Sequence, residues 1–190
     1  RRGIEIENYP AILKHLTQFK DRLEPRPANY QGKKWPGRKP GSYKWYEIQD
    51  AVDYYQEFQK SKILWPGISD VVTSFAFDEQ GYFGNDNNQL IISEDKALLG
   101  LLNSSLTKFF WINTCDFVQG GFVRLKISYV SLIPISKLFS AYRDRIKTKV
   151  EEILGGNSNS NEQLEAEVDR IIYEMYDLTE EEIAIVEGKL

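Results

Sequence analysis

The sequence predicts an α+β fold, with a mixed or antiparallel β-sheet core, flanking helices and a C-terminal helical hairpin. Three observations predict it. Strand-like apolar runs separated by polar, glycine-marked turns occupy residues 62–134. One amphipathic helical pattern, centred on Leu98-Leu99-Gly100-Leu101-Leu102, interrupts them. After Ser136 the apolar spacing becomes helical.

Pro10 opens a helical pattern at Ile12, Leu13, Leu16, Phe19 and Leu23, which Pro25 and Pro27 stop. The segment up to Tyr46 carries prolines and glycines among its aromatics and is expected to be a loop. Glu47 to Gln59 is expected to be helical and to lead into a buried strand at Ile63-Leu64-Trp65, ended by Pro66-Gly67. A second strand is expected over Val71–Phe77, followed by a hairpin turn at Asp78-Glu79-Gln80-Gly81. Tyr82-Phe83-Gly84 and Gln89–Ile92 would continue the meander around an Asn85–Asn88 corner.

Ser93 is the expected N-cap of the next helix, with Glu94 and Asp95 in its first turn where the dipole favours acids. Leu98, Leu101, Leu102, Leu106, Phe109 and Phe110 would form its buried face. Gly120-Gly121 breaks the chain before a strand at Phe122–Lys126, which places Phe122, Arg124 and Lys126 on one face. Ile133-Pro134-Ile135 closes the sheet region. Leu138, Tyr142, Ile146, Val150 and Ile153 then mark a long helix, and residues 155–161 a flexible link. Leu164, Val168, Ile171, Ile172 and Met175 mark an antiparallel partner helix, and Thr179 with Glu182 a capping box. The expected division is one domain over residues 1–135 and a helical scaffold over residues 136–190, packed on it.

The net charge of −4 hides an asymmetry. From Val150 onward, twelve acids face only Arg170 and Lys189, a net −10, which leaves +6 on residues 1–149. Residues 26–44 hold Arg26, Lys33, Lys34, Arg38, Lys39 and Lys44 without an acid. A basic body of this kind suits a polyanionic partner. Catalysis fails on inventory. The sequence lacks an Asn-Pro-Pro-Tyr motif and a glycine-rich strand-to-helix turn for S-adenosylmethionine. Glu187-Gly188-Lys189 fits part of a nuclease pattern but falls in a terminal helix, and His15, the one histidine, has no acid–base partner beside it. The acids of the last helices lie along solvated faces without an oxygen-ligand loop. Cys115, the lone cysteine, excludes an internal disulfide and fits a reducing cytoplasm, where the protein is expected to act. No apolar run is long enough to span a bilayer, and the start at Arg1-Arg2-Gly3-Ile4 reads as part of a longer polypeptide.

The order of segments, from Tyr9-Pro10-Ala11-Ile12-Leu13 through Lys62-Ile63-Leu64-Trp65-Pro66 and Gly120-Gly121-Phe122-Val123-Arg124 to Leu178-Thr179-Glu180, resembles the TaqI-like C-terminal specificity domain. That domain chooses the DNA target in type IIG, Eco57I-like restriction-modification enzymes and adenine-specific DNA methyltransferases. The resemblance implies a non-catalytic fragment whose partners are double-stranded DNA and upstream methyltransferase or nuclease domains of the same chain. It implies no cofactor in this fragment, with S-adenosylmethionine and Mg2+ belonging to the upstream part.

The expected DNA contacts are Lys33, Lys34, Arg38, Lys39, Lys44 and Trp45 in the basic loop, with Asn87, Gln119, Arg124 and Lys126 on the sheet. Loop cations neutralise phosphates and release counterions. On the strand, Arg124 can donate twice to guanine or grip a phosphate. The amides of Gln119 and Asn87 can pair with bases or serve their turns. The alternative functions are a protein-interaction module and an enzyme with an unrecognised site.

Overall fold

The structure, a computed structural model, describes residues 3–50, 52–69, 75–118, 120–156 and 161–189. Two compact units divide the chain, Arg1–Gln56 and Glu57–Leu190. Its helices and small antiparallel sheets make it α+β, as its patterning predicts.

In the first unit, a 3-10 turn at Ile6–Asn8 precedes helices α1 (Pro10–Thr17) and α2 (Lys20–Leu23). The single helix expected here is therefore broken. The Thr17 hydroxyl donates to the Leu13 carbonyl at 2.7 Å, a local bond of the kind that bends or ends helices. No residue of α1 is buried. Its apolar residues Ile12 and Leu16 instead line an open groove of about 450 Å3 with Ile6, Tyr9, Ile48 and Val52.

The helix expected over residues 47–59 is corrected more heavily. Among its described residues only Asp53–Gln59 is helical, as a 3-10 helix. The Glu47 carboxylate accepts the Lys44 amide at 2.7 Å and its carbonyl accepts from Arg38 at 2.8 Å. The Glu47 carbonyl, which would accept the first helical bond, is thus engaged by the preceding loop.

In the second unit, β1 (Lys62–Pro66) lies between β2 (Ala76–Asp78) and β3 (Asn88–Ile92), antiparallel to both. Ile63 is opposite Phe77 on one side and Ile91 on the other. Of the strand expected over Val71–Phe77, residues 71–74 lie outside the described residues. The hairpin expected at Asp78–Gly81 does not form; the chain bends there instead, the Asp78 carboxylate accepting the amides of Gln80 at 2.7 Å and Tyr82 at 2.9 Å. Tyr82–Gly84 is not a strand either; Phe83 leaves the sheet and stacks on Phe58, with ring centroids 4.9 Å apart.

Lys62 and Asp78 form a buried ion pair, and the Lys62 ammonium also donates to the Phe58 carbonyl. Burial by itself would raise the Asp78 carboxyl. The bonds from Lys62 and the two amides outweigh it and hold the group below the usual carboxylate range.

The expected amphipathic helix is two helices, α3 (Lys96–Asn103) and α4 (Ser105–Thr114). Buried Ser104 makes the break: its hydroxyl donates to the Leu101 carbonyl and accepts the Thr107 amide, ending α3 and capping α4. Asp95, rather than Ser93, caps α3 by accepting the Ala97 amide at 3.0 Å, while the Ser93 hydroxyl accepts from Asp95. The break turns Leu99 and Trp111 fully inward, beside Leu101 and Leu102, and leaves Leu106 and Phe110 at the core's margin.

β4 (Phe117–Val118) and β5 (Phe122–Val123) form a short antiparallel ribbon. Gly120 and Gly121 turn it with φ of +92° and +81°, a conformation that glycine adopts without strain. The strand expected to reach Lys126 pairs only over its first two residues, yet its alternation holds. Val123 and Leu125 are buried, while Phe122, Arg124 and Lys126 are exposed. Helix α5 (Ile127–Val130) follows where none was expected, and Ile133-Pro134-Ile135 is not a strand.

Helices α6 (Phe139–Gly155) and α7 (Asn161–Met175) pack antiparallel, tied by Arg145 to Glu174 and Lys149 to Glu167, each at 2.9 Å. Residues 157–160 of the expected link lie outside the described residues. Gly100 lets α3 approach α6 closely, since a Cβ there would come within 2.8 Å of methyls on Val150 and Ile146. Asp169 of α7 accepts both the amide and the hydroxyl of Ser105, at 2.8 and 2.6 Å, where α4 begins. The last helix, α8 (Glu180–Val186), carries the expected capping box of Thr179 and Glu182.

Candidate nucleic-acid interface

The polar concavity of the second unit has Pro66, Gly67 and Ile68 as its floor. Asp86, Asn87 and Gln89 line one side, Arg124 and Lys126 the other, around about 400 Å3. The backbone explains why these residues meet. The Gly67 amide donates to the Asn87 carbonyl at 2.8 Å, and the Gly67 carbonyl accepts the Leu125 amide at 3.1 Å. Ser69 and Val123 exchange two further bonds, at 3.1 and 2.9 Å. Gly67 and Ile68 form a bend just beyond β1, and Gly67 ties the Asn87 segment to the Leu125 segment.

Local chemistry leaves the wall side chains available. At the corner, the Asn85 side chain accepts from the Asn87 amide at 3.0 Å and from the Asn88 side chain at 3.1 Å. Asn85 and Asn88 thus make the turn, and the side chains of Asp86 and Asn87 make no hydrogen bond or ion pair among the described residues. On the other wall, Asp116 would be the natural partner of Arg124, whose amide bonds its carbonyl. The Asp116 carboxylate instead accepts the Tyr129 hydroxyl at 2.6 Å, which raises the Tyr129 phenol above its ordinary pKa. The side chains of Arg124 and Lys126 have no hydrogen-bond or ion-pair partner among the described residues. Gln119 lies outside the described residues.

In the first unit, Arg38 holds the basic loop together. It donates to the carbonyls of Leu23 at 2.7 Å, Glu47 and Trp45 at 2.8 Å, and Lys44 at 3.4 Å. Its guanidinium also sits 4.6 Å from the centre of the Tyr43 ring. Trp35 donates its indole N–H to the Glu24 carbonyl at 2.9 Å and meets Tyr30 edge-on. A Cβ at Gly37 would lie 2.2 Å from the Glu24 carbonyl, so only glycine fits there. Trp45 packs edge-on against Tyr46, with the Lys20 ammonium 5.5 Å from its ring. Lys39 pairs with Asp50 at 3.0 Å on the surface, and Lys44 lies 5.4 Å from the Tyr46 ring. Lys33 and Lys34 are exposed and have no side-chain partner among the described residues.

The sequence reading missed Asp86 and Gln89 as lining residues. Gln89 was legible, as a polar residue opening the otherwise apolar run Leu90-Ile91-Ile92. Among the described residues no group of three His, Cys, Asp or Glu side chains is placed to hold a metal. The His15 ring meets Phe19 edge-on, with centroids 5.4 Å apart. Cys115 is buried, which pushes its thiol up. No helix among the described residues is long and apolar enough to cross a membrane.

A rigid sheet edge that presents unpaired donors and acceptors across a shallow floor is the build of a recognition module. The sequence matches the family described as the TaqI-like C-terminal specificity domain over residues 5–135, and the chain belongs to that family. Such specificity domains are generally non-catalytic, and membership points to DNA-sequence recognition in restriction-modification systems. None of the curated proteins matches the chain.

Proposed function

We propose that this chain is the sequence-specific DNA target-recognition domain of a restriction-modification enzyme or DNA methyltransferase, and is non-catalytic by itself. Arg124 and Lys126 carry this conclusion. Two cations on alternate positions, without a side-chain partner among the described residues and beside amide and carboxylate side chains, suit a surface that meets bases and phosphates. Lys33 and Lys34 grip phosphate, with Lys39 and Lys44 adding charge. Arg38 holds the loop of these lysines in shape. Trp45 supports that loop and packs against sugar.

In this function the recognition surface belongs to residues 1–135, and helices α6 to α8 form the scaffold. A methyltransferase or nuclease in the same polypeptide supplies bond-making, with S-adenosylmethionine and Mg2+ held there. The whole would act in the cytoplasm.

A mobility-shift titration across a salt series tests it. Binding to duplex DNA should weaken steeply as salt rises, because each neutralised phosphate releases counterions. Lys33→Glu with Lys34→Glu should lower affinity for every sequence alike. Salt-insensitive binding, or none, would refute the proposal. The apolar groove beside α1 favours a second reading, a protein contact, which would show little of that salt dependence.

A further inference from the structure

We infer that the concavity over Pro66–Ile68 reads one G·C base pair, with Arg124 addressing the guanine and Asp86 the cytosine amino group. The inference rests on the DNA-binding function proposed above and names what the site reads. Its motive is the division of chemistry between the walls. Arg124 and Lys126 offer donors only, Asp86 offers acceptors only, and neither set has a protein partner among the described residues.

A carboxylate on a DNA-facing surface repels phosphate, so its presence needs a compensating donor. In the major groove that donor is an exocyclic amino group. Guanine shows two acceptors, O6 and N7, and its cytosine partner one amino donor at N4. A donor wall opposite an acceptor therefore complements G·C. An A·T pair offers adenine's mixed pattern and a methyl-bearing thymine, whose O4 would face the carboxylate. Gln89 and Asn87, each donor and acceptor, are suited to the flanking position.

Both walls are held by backbone rather than by each other. The Asn87 carbonyl and the Leu125 amide both bond Gly67, and the Trp65 indole donates to the Leu125 carbonyl at 2.9 Å. The reading groups are thus spaced before DNA arrives, which keeps the ordering cost of binding low.

Selection of duplexes from a randomised pool by the 190-residue chain, repeated with Asp86→Asn, tests this directly. The wild type should enrich a G·C pair at one position. Asp86→Asn should weaken that enrichment, because an amide offers donors as well as an acceptor and no longer selects an amino group alone. A second measurement replaces the selected guanine with 7-deazaguanine, which lacks N7. Wild-type affinity should fall roughly 10- to 150-fold, the value of one hydrogen bond to a charged group, and Arg124→Ala should show no such sensitivity. DNA binding with an unchanged preference in Asp86→Asn, or equal 7-deazaguanine sensitivity in Arg124→Ala, would overturn the inference alone. Absence of DNA binding by the wild type would overturn the proposed function and this inference together.

Discussion

The buried indole N–H of Trp65 donates to the carbonyl of Leu125 at 2.9 Å, linking the central strand to the residue between Arg124 and Lys126. Both partners are nearly inaccessible, so the bond fixes the cationic wall from beneath. Trp65→Phe keeps an aromatic ring but leaves that carbonyl without its donor. It should cost about 1–3 kcal/mol of stability. Sequence discrimination should fall more than non-specific affinity, checked by urea unfolding together with competition binding.

Gly100 is the contact that seats α3 on α6. Gly100→Ala would force a methyl against Val150 and Ile146, at 2.7 and 2.8 Å. Overpacking of this kind costs about 1–3 kcal/mol despite alanine's better helix propensity. Thermal unfolding followed by circular dichroism should show a lowered midpoint, with the helical signal retained below it.

Arg38 and the lysines of its loop should behave differently. Arg38→Ala strips donors from the carbonyls of Leu23, Lys44, Trp45 and Glu47. The loop should then become open to limited proteolysis, and DNA affinity should fall with it. Lys33→Glu with Lys34→Glu should lower affinity and leave the proteolysis pattern unchanged.

The Lys62–Asp78 pair has a pH signature. Lys62→Met removes one partner of a buried ion pair and should cost about 3–5 kcal/mol at neutral pH. Because the folded Asp78 carboxyl is held below its unfolded value, its contribution is complete above that value and is lost as pH falls through the folded one. The stability difference between wild type and Lys62→Met should therefore shrink below about pH 4. Urea titrations at pH 7 and pH 3 measure it.

Much of the framework was legible because single residue types dictate it locally. The strand at Ile63–Trp65, the capping box at Thr179 and the paired C-terminal helices all follow from periodicity or capping. The failures have tertiary causes. The helix expected from Glu47 is cancelled by Arg38, nine residues earlier, whose side chain takes the Glu47 carbonyl. The break at Ser104 depends on a small hydroxyl that finds partners on both sides only once buried.

The site was half legible. Arg124 and Lys126 stood out by charge and alternation, and the Asn85–Asn88 corner by composition. Which corner residues turn and which face outward depended on the Asn85 hydrogen bonds. That Asp86 and Gln89 lie across from Arg124 depended on the Gly67 bridge, a pairing between segments distant in sequence.

Fluorescence anisotropy of a labelled duplex, titrated with the wild type and with an Arg124→Ala, Lys126→Ala double variant over a range of salt, tests the central claim most directly. Wild-type affinity should fall steeply with salt, and the double variant should bind the preferred duplex at least tenfold more weakly, with an unchanged circular dichroism spectrum. Equal affinity of the two proteins for that duplex, or wild-type binding indifferent to salt, would contradict it.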